Sequence, residues 1–276
     1  MTTFLERILA TKQLEVASLR EHGVRLEDHE LDSLPSTRGF AAHLTQAKQL
    51  TVVAEIKQAS PSKGLIATDF RPADTARAYE QAGASAISVL TDETYFHGSI
   101  EDLKTVRGTV DVPVLRKDFI VDELQVIEAR QAGADAVLLI CAALPPQRLR
   151  DLTKFAQSLS LDVLLEVHSV EELEPALAAE PTVLGVNNRD LRTFEVRLDT
   201  TERIAAELPS GLPFIAESGV SAPGDAKRMA ACGASGILVG EALMRCRDAA
   251  ERISLLESLR VPRPAVAVRE QLEQNI

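Results

Sequence analysis

The chain reads as an α/β protein, a closed (β/α)8 TIM barrel with a helical N-terminal extension. Three features carry that reading. Eight short apolar segments alternate strictly with helical patterns, and strict β–α alternation with apolar strands makes a parallel sheet. Three segments, "QAGASAISVL" (81–90), "QAGADAVLLI" (131–140) and "ACGASGILVG" (231–240), share one shape: a helix end, a glycine suited to the position just past it, and an apolar strand. The second begins 50 residues after the first and the third 100 after the second, which leaves room for two βα units in each 50-residue interval. The first βα turn, "QASPSKGL", lacks the GxGxxG of an open dinucleotide-binding sheet.

Taken in order, residues 1–48 read as helical, with Leu5, Ile8 and Leu9 on one face. Strands are expected near 51–57, 85–91, 113–117, 135–140, 161–167, 182–188, 212–217 and 235–239. The helical patterns between them begin with "RPADTARAYEQAG", where Pro72 suits the first turn, and end with "APGDAKRMAACG". Ser169 and Glu172 have the spacing of a capping box. The charges of 128–130 and of similar helices read as solvated surface. The tail "VPRPAVAVREQLEQNI" (261–276) reads as a loosely held extension. No linker breaks the chain, so 1–276 is expected to form a single barrel domain.

Composition excludes several classes. A 276-residue chain with 45% hydrophobic residues suits one such barrel. A formal net charge of −11 disfavours nucleic acid and anionic membrane surfaces. Cys141, Cys232 and Cys246 form no CxxC pair and are expected to be reduced thiols buried as small hydrophobes. No apolar run nears the ~18 residues of a membrane span, and "MTTFLERILATKQ" lacks a signal-type core. A cytoplasmic monomer or weak homodimer is expected, with no nucleic-acid or membrane partner.

The chemistry lies in the charges that end the strands. In a (β/α)8 barrel the active site is at the C-terminal ends of the strands. There the chain places Glu55 and Lys57, Lys117, Glu166, Asn187 and Arg189, and Glu217. Strand parity puts Glu55 with Lys57, and Asn187 with Arg189, on common faces. Burying one unpaired ion costs several kcal/mol, so their convergence points to a pocket for a charged reactant; salt bridges closing the barrel top are the alternative. Arg116 and Asp118, of opposite parity to Lys117, are expected to face helices or loops.

"ESGV" and "LVGEAL" put Ser218, Gly219, Gly240 and Glu241 at helix starts in the last two βα loops, where phosphate often binds. A Cβ at Gly240 is expected to crowd that phosphate. Phe96 and Phe119 could wall a flat aromatic group, with core packing as the alternative. His168 reads as a loop or capping residue. No histidine pair has metal-ligand spacing, so neither metal nor cofactor is expected.

The motifs "AEIKQASPSKG", "SVLTDETYFHGSIEDL", "PVLRKDFIVDELQVIEARQAGADAVLLI", "LLEVH", "GVNNRDLRTF", "AESGV" and "GILVGEALMR" resemble, in this order, those of the indole-3-glycerol phosphate synthase family. The resemblance implies a phosphorylated small-molecule substrate, 1-(2-carboxyphenylamino)-1-deoxyribulose 5-phosphate, and cofactor-free ring closure with loss of carbon dioxide and water. It implies Lys117 as general acid at the ketone, and Lys57 as carboxylate holder and candidate second acid. Glu166 would be the base for dehydration, and Glu55, Asn187, Arg189 and Glu217 would orient these groups. Ser60 would reach the carboxylate, and Ser218, Gly219, Gly240 and Glu241 would hold phosphate by their amides. Glu241 stands where some relatives have serine; its side chain is expected to turn outward. Burial and repulsion from Lys57 lower the Lys117 pKa from ~10.4 while the glutamates raise it; the sequence leaves that balance open. The rival readings are another ribulose-phosphate barrel enzyme such as phosphoribosylanthranilate isomerase, Schiff-base chemistry on the inward lysines, and a non-catalytic scaffold.

Overall fold

The apolar runs form strands that are buried on both faces, as a parallel sheet covered by helices requires. The computed structural model describes residues 3–264. Eight strands close into one barrel: β1 Thr51–Ile56, β2 Ala86–Leu90, β3 Val114–Lys117, β4 Ala136–Ile140, β5 Asp162–Val167, β6 Val183–Asn187, β7 Phe214–Glu217 and β8 Gly236–Val239. Each lies within two residues of its expected bounds. Neighbours pair in parallel, and β8 returns to β1 with Thr51 opposite Gly236.

The longer helices are α1 Phe4–Glu21, α2 Phe40–Thr45, α3 Pro72–Gln81, α4 Ile100–Arg107, α5 Glu123–Gln131, α6 Pro146–Ser158, α7 Leu173–Leu177, α8 Asp199–Glu207, α9 Pro223–Ala231 and α10 Ala249–Leu259. Pro72 opens α3, as expected. The glycines of the three look-alike segments, Gly83, Gly133 and Gly233, have φ of +84°, +87° and +88°. Each ends its helix in the left-handed conformation that lets the chain turn into the next strand.

Two layers of core follow from strand parity. Outward residues such as Val52, Ala54 and Ile56 pack under the helices, whereas Val53, Leu115, Leu138, Leu164, Ile215 and Leu238 fill the barrel. Phe40 and Leu44 of α2 belong to that inner cluster. The amide of Ala41 donates to Asp162 at the start of β5, so α2 closes the N-terminal end. The extension thus serves both ends: α2 plugs one, and α1 lies across the other.

Several expectations need correction. On α1 the fully buried row is Ile8, Lys12 and Val16, with Leu5 and Leu9 only half-buried. A lysine in that row is explained by its carboxylate partners, described below. Ser169 and Glu172 form no capping box, because Glu172 accepts from the amide of His168 and Ser169 makes no side-chain cap. Glu128 and Arg130 are not simply solvated. α5 covers the outward face of β3, where Glu128 pairs with Arg116 at 2.8 Å; buried Arg130 donates to the carbonyl of Leu159. Cys141 is buried, but Cys232 and Cys246 are only half-buried on helix flanks, where each thiol donates to a backbone carbonyl of its own helix. The start of the tail is held, since Leu50 donates to Val261 at 2.8 Å and Arg263 to Lys48. The rest of the predicted tail, 265–276, lies outside the described residues. Among those described, no helix is long and apolar enough to cross a membrane.

Candidate active site

The C-terminal end of the barrel holds a cavity of about 640 Å³. Every residue singled out in the sequence as catalytic or substrate-binding borders it, from Glu55 on β1 to Glu241 after β8. The parity argument explains why. Lys117, Asn187 and Glu217 end their strands and Glu166 stands one residue short of the end of β5, all with side chains facing inward, and the register sets Asn187 beside Glu217. Arg116 and Asp118 face the other way, into a buried network with Thr91 and Glu128.

Three ion pairs line the floor. Lys117 Nζ lies 3.0 Å from Glu217 Oε2 and 3.3 Å from Glu166 Oε2. Lys57 Nζ lies 2.6 Å from Glu55 Oε1. Burial opposes the Lys117 charge, but Glu217, Glu166 and Glu55 outweigh it and hold its pKa above the ordinary lysine value. Burial likewise pushes against charge on the two carboxylates beside Lys117, with opposite outcomes. Glu166 is held below the usual carboxylate range by Lys117, His168 and Asn187. Glu217 is pushed up, because Glu166 and Glu55 add to burial and Lys117 only partly offsets them. The site therefore holds a charged ammonium between one carboxylate that favours its ionised form and one that favours it less.

His168 is more than a loop residue. Its Nε2 lies 3.1 Å from Glu166 and its Nδ1 3.5 Å from Glu172. Burial would lower its pKa, yet the two carboxylates raise it to about 10. The sequence offered one signal for this role, the i and i+2 spacing of Glu166 and His168.

Gly240 has a second reason beside the one expected. A Cβ there would fall inside contact with Glu55 Oε1, 2.9 Å from its Cδ and 3.0 Å from its Cβ. The glycine makes room for the Glu55 carboxylate. A Cβ at Gly219, where φ is +89°, would meet Val196 and Leu198 of the loop after β6.

Glu241 does not turn away from the site. Arg245 lies 2.8 Å from its carboxylate, and Lys63 and Arg189 each lie 3.8 Å from it. Three cations around one carboxylate hold it at the cavity rim. Lys63 and Arg245 were not foreseen as site residues, because exposed basic side chains look alike in a sequence. Ser60 sits on the hairpin pairing Ala59–Ser60 with Gly64–Leu65. Phe96 and Phe119 face each other across 6.2 Å at 37°, and Phe4, Leu5 and Ile8 of α1 form a further wall.

A parallel barrel with paired ammonium and carboxylate groups in the cavity at its strand C-termini is a (β/α)8-barrel enzyme by architecture. The family is settled by comparison. The family model described as Indole-3-glycerol phosphate synthase matches residues 5–256. A protein of that name from Desulfotalea psychrophila is 46% identical over 257 residues, covering 93% of this chain and 99% of its own. Another of that name, from Leptothrix cholodnii, is 47% identical over 253 residues, covering 90% and 96%. The chain belongs to the indole-3-glycerol phosphate synthase family. Among solved structures, a thiamine phosphate pyrophosphorylase from Pyrococcus furiosus matches with a TM-score of 0.58 at 20% identity, covering 82% of this chain and 96% of that one. That likeness is one of fold.

Proposed function

We propose that the chain is a carbon–carbon lyase that closes the pyrrole ring of 1-(2-carboxyphenylamino)-1-deoxyribulose 5-phosphate. Carbon dioxide and water leave, and indole-3-glycerol phosphate is formed. The observation that carries the assignment of roles is the Lys117 ammonium held between Glu166 and Glu217 on the cavity floor.

In this reading the ketone oxygen meets Lys117. As the aryl carbon attacks the carbonyl carbon, negative charge grows on that oxygen. An ammonium kept charged by its neighbours stabilises it and then donates the proton once an alkoxide forms. The carboxylate on the attacking ring carbon lies against Lys57 until its C–C bond breaks and the electron pair returns to the ring. Lys57 then serves as acid for the departing hydroxyl, and Glu166 takes the proton whose loss makes the pyrrole aromatic. Binding draws Lys117 toward substrate, which weakens its hold on Glu166 and raises the basicity of that carboxylate. Glu55 orients Lys57, and Asn187 and Glu217 orient Glu166 and Lys117.

For the phosphate, the rim cations Lys63, Arg189 and Arg245 support a subsite beside Ser218, Gly219 and Gly240. Phe96 and Phe119 offer faces to the aryl ring, and Ser60 a hydroxyl to the carboxylate. The reading includes a cytoplasmic monomer or weak homodimer, which sedimentation velocity would check. The test of function is appearance of indoleglycerol fluorescence when purified chain meets substrate with a chelator present. Folded protein that yields no product would overturn it.

A further inference from the structure

We propose that Lys12 is a positioning residue: one buried ammonium seats the N-terminal helix and fixes both loops that carry the aromatic wall of the cavity. Lys12 is 0% exposed, which is rare for a lysine. Its Nζ lies 2.7 Å from Asp92, 2.8 Å from Asp118 and 2.8 Å from Glu15. Such burial is costly unless the charge is paired, and here carboxylates from three segments meet it. Asp92 lies in the loop after β2, Asp118 in the loop after β3, and Glu15 one turn further along α1.

The two loop carboxylates also hold the backbone of the aromatic residues. Asp92 Oδ1 accepts from the amides of Tyr95 and Phe96 at 2.7 and 3.2 Å. Asp118 Oδ1 accepts from the amide of Phe119 at 2.8 Å. Lys12 therefore ties together the two carboxylates that set where Phe96 and Phe119 stand. Arg116 also reaches Asp118, at 3.3 Å, but it belongs to β3 and holds nothing of α1. Thr11, whose hydroxyl lies 3.1 Å from that of Tyr95, and Phe4, whose ring meets the Tyr95 ring edge-on at 5.4 Å, seat the helix on the same loop. Because Phe4, Leu5 and Ile8 line the cavity, docking of α1 and placement of the aromatic pair become one event. The ligand class this wall would take is an aryl carboxylate, an identification that rests on the function proposed above.

The test uses Lys12→Met in the full chain, which keeps the length and the apolar stem but removes the charge. Binding of anthranilate and of inorganic phosphate is measured by calorimetry, alongside kcat, KM and amide exchange. Anthranilate affinity should fall and KM rise by about tenfold or more, the size of one lost charge-assisted contact. Phosphate affinity should stay within about twofold, because the rim cations are untouched. Exchange at Tyr95, Phe96 and Phe119 should quicken while that of β1 and β8 does not. Should Lys12→Met fail to fold, Asp92→Asn, which can keep its acceptor toward Tyr95 and Phe96 while losing the ion pair, should show the same pattern more weakly. Unchanged anthranilate affinity and unchanged loop exchange in a folded variant would overturn the proposal. Wild type that binds neither probe would instead refute the reading of the cavity, and amide exchange alone would then decide whether Lys12 orders the loops.

Discussion

Gly240→Ala should strike the catalytic lysines rather than the phosphate. The added methyl would lie on the Glu55 carboxylate, 2.9 Å from Cδ and 3.0 Å from Cβ. Turning the end of the side chain cannot relieve a contact with its own Cβ. Glu55 must shift from its Cβ outward, and the shift is expected to loosen its 2.6 Å pair with Lys57. A hydrogen bond between charged groups is worth about 1.5–3 kcal/mol, and each 1.4 kcal/mol is tenfold. The expected loss in kcat is therefore about 10- to 150-fold, with KM changed by about twofold or less. Steady-state fluorescence gives both constants, and calorimetric titration of inorganic phosphate gives the binding arm. A variant with wild-type kcat but weakened phosphate binding would refute the steric argument and leave phosphate contact as the role of Gly240.

Glu166→Gln keeps shape and removes the base, so rapid quench should show a decarboxylated, still hydroxylated intermediate; accumulation of substrate alone would assign Glu166 to an earlier step. His168, raised to about 10 by Glu166 and Glu172, should remain an imidazolium from pH 6 to 8 by NMR. A folded pKa above the unfolded ~6.5 contributes stability that is full below pH ~6.5 and is lost as pH rises through about 10. His168→Gln should therefore lower Tm at pH 6 and cost progressively less toward pH 10; a normal titration near 6.5 would contradict this. Glu241→Ser removes the anion among Lys63, Arg189 and Arg245 and should tighten inorganic phosphate several-fold, with weaker binding as the contrary result.

The barrel was legible because its strands are continuous apolar runs, and the active-site candidates because charges interrupt those runs at one level. Glu55, Lys117, Glu166 and Glu217 are conspicuous for that reason. Lys12 was not legible. On an amphipathic helix it reads as solvated, and only folding brings Asp92 and Asp118 to it. Arg130 escaped for the same reason, since its acceptor is a backbone carbonyl that no sequence displays. Gly240 was noticed, but its contact with Glu55 was not legible, because that contact comes from the adjacent strand β1. Local spacing reports which face a residue takes; it does not report what stands opposite.

Single-turnover kinetics of Lys117→Ala address the assignment of the general acid directly. With circular dichroism and phosphate affinity unchanged, the rate of product formation should fall by ~10²–10⁴, the usual loss for one general acid. The ammonium between Glu166 and Glu217 would then be the group that meets the ketone oxygen. A folded variant turning over within about threefold of wild type, less than removal of a general acid allows, would take Lys117 out of the chemistry.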